Sequence, residues 1–173
     1  MEKVLSYVNT YSFGNLSSYE LDELFKDGSV IGKLLECDVS KRLGHIWCGK
    51  QQNYYDSVDK DGNKWEHRCL TKRGAYLIPS NQQGANREYN EIDFLEKLFN
   101  IAGYVLQDIR RHPHINVYMV NSWEAYYLFG KRVGLDKFRK VLTLIEEIGP
   151  QRYKELLNEK LIEKKLTKMF SCH

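Results

Sequence analysis

The chain has 173 residues, enough for one domain with a real core, and its hydrophobic (42%) and charged (28%) fractions are ordinary for a soluble globular protein. No apolar run approaches the roughly 18 residues of a membrane helix, Met1 to Tyr7 lacks a signal-peptide core, and Cys37, Cys48, Cys69 and Cys172 are too scattered for a disulfide framework, so no membrane association is expected and reduced thiols in a cytoplasm are. The net charge of +3 does not announce a nucleic-acid binder, but Lys131 to His173 holds 11 Lys/Arg against 6 Asp/Glu, which leaves the rest slightly acidic and suited to a carboxylate metal site.

Ser17-Ser18-Tyr19-Glu20 forms a capping box that predicts a helix through about Lys26, ended by Asp27-Gly28. Ser29 caps a second short helix, Val30 to about Cys37, with Val30, Ile31, Leu34 and Leu35 on its apolar side. Residues 38–52 read as irregular. A β-hairpin follows, with strands near 53–58 and 64–71, then a Lys72-Arg73-Gly74 turn and a third short strand, Ala75 to Ile78, closed by Pro79. Ser80 to Arg87 is a polar loop. Glu91 to Ala102 reads as a helix with Ile92, Leu95, Leu98 and Phe99 as its apolar face. Strands at 104–109 and 115–120 flank a turn at Arg110 to His114. Asn121 or Ser122 caps a helix at Trp123-Glu124, and Gly149-Pro150 separates helices at about 136–148 and 151–169. The order predicts an α/β (mixed α+β) fold with a central mixed sheet of about five strands flanked by helices. One domain, 1–173, is expected, with a core of about 15–130 and C-terminal helices of about 131–170.

The hairpin carries the chemistry. Tyr54, Tyr55, Val58, Trp65 and Cys69 favour strands, and Asp59 to Asn63 is dense in turn formers. A five-residue loop sets Val58 opposite Lys64 and Asp56 opposite Glu66, with Cβ atoms about 4.5–5.5 Å apart. Opposed like charges are destabilising unless a cation lies between them, and a divalent metal ion is the obvious candidate. Strand alternation puts Arg68 on the face of Glu66. Two carboxylates and a cation on one patch suggest metal-assisted phosphodiester chemistry.

Asp56, nine residues, then Glu66-His67-Arg68 across a turn, followed by a short strand, a polar loop, a helix and a strand pair, resembles the PD-(D/E)xK nuclease superfamily. Within it the chain is most similar to small dimeric type II restriction endonucleases of the PvuII-like branch, over roughly residues 15–130. The resemblance implies a restriction-endonuclease-like core in which Asp56 and Glu66 hold Mg²⁺, with Arg68 as the third catalytic residue. It also implies sequence-specific cleavage of double-stranded DNA by a homodimer. Arg68 stands where the family has Lys. Arginine does not lose a proton in the relevant range, so a general-base role is closed to it, although it would still orient a phosphate. Lys50 and Lys72 are the nearest replacement cations in sequence.

Asn81, Gln82, Gln83, Asn86 and Arg87 form the expected base-reading loop, because Asn and Gln pair bidentately with adenine and Arg with guanine. Lys72 and Arg73 are expected to contact DNA as well. Two other readings compete. One keeps the fold and makes the chain a repair nickase or junction resolvase; the other makes it a non-catalytic nucleic-acid-binding module, zinc-stabilised through His45, Cys48, His67 and Cys69. A calcium loop at Asp59 to Gly62 is rejected because Arg68 falls where an EF-hand needs Glu. Asp59 remains a secondary metal-ligand candidate, and ordinary surface or capping roles are expected for Glu20 and Glu23.

Overall fold

The structure, a computed structural model, describes residues 1–11, 14–25, 28–49, 54–84 and 86–170; for residues 22, 28–30 and 161–170 it describes the backbone only. Lys50 and Cys172 lie outside the described residues.

A six-stranded mixed sheet forms the centre, flanked by helices as predicted. Its strands are β1 (Glu2–Val8), β2 (Ile46–Trp47), β3 (Ser57–Val58), β4 (Lys64–Leu70), β6 (Gly103–Arg111) and β7 (His114–Asn121), in the order β1-β7-β6-β4-β3-β2. Only the β4–β6 pair is parallel, and the intervening chain with α3 (Glu91–Asn100) makes the crossover that parallel strands require. Strand β6 is buried along nearly its whole length, as a central strand covered on both faces should be.

Helices α1 (Ser18–Phe25) and α2 (Gly28–Arg42) pack on one face. Leu21, Phe25, Ile31, Leu35 and Val39 meet Val105, Ile109, Ile115 and Val117 of β6 and β7 there. The capping box forms as read: the Ser17 backbone N–H donates to Glu20 Oε2 at 2.8 Å, and the Glu20 N–H donates to Ser17 Oγ at 3.3 Å. On the other face lie α3 and the buried Tyr104, whose hydroxyl donates to the Leu77 carbonyl at 2.9 Å. Asn90 caps α3 by accepting from the Ile92 and Asp93 N–H groups.

The structure corrects several expectations. Residues 38–42 are not irregular but complete α2, and the edge strand β1 was not foreseen. An edge strand with one partner and a mostly exposed surface carries little apolar alternation to read. The short strand β5 (Ala75–Tyr76) leaves the main sheet and pairs with β8 (Arg132–Val133). The apolar face of α3 is also reassigned. Ile92 and Phe99 are each 76% exposed, whereas Phe94, Lys97 and Leu98 are buried. Phe99 packs edge-on against Trp123 of α4 (Ser122–Phe129), with ring centroids 4.9 Å apart.

Two compact units divide the chain, Met1–Val133 and Gly134–His173. The second contains α5 (Leu135–Ile148) and α6 (Pro150–Phe170), joined at Gly149, whose φ of 80° suits a residue without a side chain.

Gly103 starts β6 where Trp65 and β7 press on it. A Cβ there would collide with the Val120 carbonyl and lie 2.9 Å from Trp65 Cζ3. Both neighbours belong to sheet strands and have no room to yield, so Gly103→Ala is expected to cost at least about 2 kcal/mol in chemical denaturation. An unchanged midpoint would contradict this packing.

Candidate active site

The hairpin closes in the register predicted from its turn. Ser57 faces Trp65 and Val58 faces Lys64. Beyond them the register slips: the Asp56 N–H donates to the Trp65 carbonyl at 2.9 Å, so Asp56 and Ser57 both face Trp65, and the expected direct pairing of Asp56 with Glu66 is corrected to a bulge at the strand end. Asp59 organises the turn by accepting from the Asp61 and Asn63 N–H groups, and from Trp65 Nε1 at 3.0 Å. Burial alone would raise its pKa, but these donors hold it down at about 2. With both oxygens so engaged, Asp59 is a turn residue and drops out as a metal-ligand candidate.

Asp56 and Glu66 line one cavity of about 510 Å³. Three carboxylates (Glu36, Asp56, Glu66) and three cations (Lys33, Arg68, Lys97) face it, and Tyr54 lines it with a left-handed φ of 78°. Chain donors meet both oxygens of Asp56 but only one oxygen of Glu66. Asp56 Oδ2 accepts the His67 backbone N–H at 2.9 Å, and its Oδ1 lies 3.4 Å from Lys33 Nζ. Glu66 Oε1 takes both the Arg68 guanidinium and Lys97 Nζ, the latter at 3.1 Å. Glu66 Oε2 is buried and has no hydrogen-bond partner. An orphaned carboxylate oxygen costs free energy unless something outside the chain completes it.

The residues fit a hard divalent cation. Two carboxylates with positions left for water and phosphate oxygens suit Mg²⁺, which keeps several waters. Among the described residues no group of three or more His, Cys, Asp or Glu side chains is arranged to hold a metal ion. The zinc candidates are engaged elsewhere. His67 is buried, accepts from Gln107 Nε2 at 2.7 Å and donates to Ser57 Oγ at 2.9 Å, and Ser57 Oγ lies 3.2 Å from His45 Nδ1. Cys69 Sγ contacts Gln107 Oε1, and burial pushes its thiol up to about 12. This polar chain pins β3 to β4 behind Asp56.

Arg68 is a bolt. Its Nε donates to the Tyr76 carbonyl at 3.1 Å, Nη1 to the His67 carbonyl at 2.9 Å, and Nη2 to Ser80 Oγ at 3.2 Å as well as to Glu66. A lysine has no planar fork with which to reproduce those contacts. Lys97 is the site residue that sequence reading passed over. It reaches Glu66 from α3, its Nζ also donates to the Leu77 carbonyl at 3.0 Å, and burial together with Arg68 lowers its pKa to about 8. Its signal was a lysine among Phe94, Leu98 and Ile101 at helical spacing, a stripe that buries on one face.

The expected DNA contacts separate by geometry. Asn81 lines the main cavity, Asn86 is exposed, and Lys72 is exposed on its turn. Arg73 lines a neighbouring cavity of about 440 Å³ that shares Glu36 and Arg68 with the first. Gln82 is corrected: it is buried, its Nε2 donates to Asp93 at 3.0 Å and its Oε1 accepts the Asn90 N–H, so it braces the loop. Gln83 donates to the Ile78 carbonyl and Arg87 to the Ser80 carbonyl, so each already holds one loop contact.

No protein-family model matches the chain, and comparison with curated proteins finds no match.

Arg68→Lys is expected to lower stability by roughly 1–3 kcal/mol in urea denaturation, because the buried Glu66 and the part-buried His67 carbonyl lose donors; unchanged stability would mean Arg68 is not a bolt. A second expectation concerns pH in the absence of divalent ions. Burial lowers the His67 pKa to about 4, so the unfolded chain binds the extra proton first and stability is lost as pH falls below 6.5. Burial and Asp56 raise Glu36 to about 7, so the folded chain binds that proton first and stability rises as pH falls from 7 towards 4.5. The two slopes oppose. Glu36→Gln removes one of them and is expected to lose about 2 kcal/mol between pH 7 and pH 5, where the wild type stays nearly flat. Parallel pH curves for the two proteins would contradict these environments.

Proposed function

We propose that this chain is a Mg²⁺-dependent deoxyribonuclease with a PD-(D/E)xK-type site, cutting double-stranded DNA in the manner of a type II restriction endonuclease. The observation that carries the reading is that Asp56 and Glu66 line one cavity, with the buried Oε2 of Glu66 lacking a partner.

Asp56 and Glu66 would hold the ion. When bound, it would polarise the phosphate, lower the pKa of a water and stabilise the leaving oxygen. The chain's own residues prepare the rest. The His67 N–H fixes the Asp56 carboxylate, and Arg68 and Lys97 fix the rotation of Glu66 by saturating one oxygen. Lys33 is half-exposed, so its pair with Asp56 opens at a cost of roughly 0–1 kcal/mol when another cation arrives. With three carboxylates and three cations around the cavity, an added divalent ion makes it net positive, as a phosphodiester anion requires. Asn81 beside the scissile position and Arg73 in the adjoining cavity supply polar contacts for DNA.

Symmetric cutting of both strands needs two sites related by a two-fold axis, so the reading includes a homodimer. The exposed Ile92 and Phe99 on α3, beside Trp123, support a contact between copies.

The test incubates supercoiled plasmid and linear duplex with wild type, Asp56→Asn and Glu66→Gln in Mg²⁺. Wild type is expected to give discrete fragments, and each folded variant to lose more than the roughly 100-fold that a supporting contact costs. Structure-dependent nicks without discrete fragments would move the chain to a repair nickase or resolvase. No cutting, or undiminished cutting by both variants, would refute the site.

A further inference from the structure

We infer that Lys97, reaching in from α3, is the cation that holds the attacking water, a task that position 68 on β4 has given up. The inference rests on the hydrolytic reading above and assigns one of its roles to a residue outside the strand motif.

Three observations carry it. Arg68 spends its guanidinium on Tyr76, His67, Ser80 and Glu66, so it serves as structure. Lys97 is wholly buried yet lines the same cavity as Asp56 and Glu66. An ammonium has three donors; two go to the Leu77 carbonyl and Glu66 Oε1, and among the described residues no third acceptor is present. Lys97 thus has a donor to spare and Glu66 Oε2 lacks a donor, and both residues line the one cavity. Spare hydrogen-bonding capacity on two buried groups of one cavity suits a small polar guest. A water held by the ammonium lies beside the carboxylates that would hold the ion.

In the reaction, the oxygen of that water forms a bond to phosphorus as the bond from phosphorus to the leaving oxygen breaks. The leaving oxygen takes the electron pair, and one water proton passes to solvent. Lys97 keeps its three protons throughout. It orients the nucleophile and stabilises negative charge on it, as a fixed donor does in a low-dielectric site.

The experiment measures single-turnover DNA cleavage in Mg²⁺ by wild type, Lys97→Met and Lys97→Ala, with thermal melting as the folding control. Lys97→Met is expected to fold, to lose roughly 100-fold or more in kcat and to keep KM for DNA within about threefold, because the buried ammonium orients water and does not bind the duplex. Lys97→Ala leaves a hole shaped for an alkylammonium, and millimolar n-propylammonium is expected to restore activity saturably where n-propanol does not. A folded Lys97→Met with near wild-type kcat would overturn the inference. So would rescue by propanol equal to that by propylammonium, which would mean Lys97 only fills space. If Lys97→Met does not fold, the rescue of Lys97→Ala decides alone, and no rescue overturns the proposal. Wild-type cleavage that Glu66→Gln abolishes and Lys97→Met leaves intact sinks this inference while the nuclease reading stands; an inactive wild type sinks both.

Discussion

Glu66 keeps its two oxygens in unequal company. One takes a guanidinium and a buried ammonium, and the other, equally buried, takes nothing from the chain. Removing a carboxylate from water costs several kcal/mol, which only close partners recover. The surroundings meet that demand on one side and leave the second oxygen without a partner, in a residue that lines a cavity shared with Asp56. Much of the neighbouring structure follows from this arrangement. The tie from Arg68 to Tyr76 and Ser80 brings the segment after β5 under the site, and α3 turns a lysine inward, where its helical stripe would otherwise be wholly apolar.

The other half of the site is held more softly. Asp56 lies just outside β3, held by its N–H on the Trp65 carbonyl, by the Cys48 N–H on its own carbonyl, and by the turn that Asp59 organises. Behind it the chain Gln107–His67–Ser57–His45 locks the short β3 to β4 with a neutral imidazole at its centre. A charged imidazole there would set a second cation against the carboxylate site, so burial that keeps His67 neutral also protects the charge balance of the cavity. The soft side faces Lys33, which is half-exposed and shared with Glu36 at 2.6 Å; the rigid side faces Lys97, which is buried.

Local features were legible in the sequence, and features made by long-range pairing were not. The hairpin register followed from turn chemistry and alternation within a dozen residues, so Val58 opposite Lys64 was legible, whereas the slip that places Asp56 beside Trp65 was not. The capping box at Ser17 and the cap at Asn121 are equally local. Strand β1 was missed because its pattern is that of an exposed edge, and β5 was placed in the wrong sheet because its partner β8 lies far along the chain. Helix α3 offered two apolar stripes. The face read as Ile92, Leu95, Leu98 and Phe99 keeps Leu98 buried, but the fold buries Phe94 and Lys97 beside it and leaves Ile92 and Phe99 exposed. That choice hid Lys97, and with it the second cation on Glu66. The loop after Pro79 shows the same limit: its composition is that of a reading loop, but the burial of Gln82 against Asp93 emerges only once α3 is docked.

The central claim is that Asp56 and Glu66 together form a site for a divalent ion, through the unpartnered Oε2 of Glu66 and the Asp56 oxygen that Lys33 would give up. Calorimetric titration of the DNA-free protein with Mn²⁺ tests this without reference to cleavage. The account predicts one ion bound per chain, with binding lost in both Asp56→Asn and Glu66→Gln and both variants still folded. Wild-type binding that survives Glu66→Gln unchanged would contradict it.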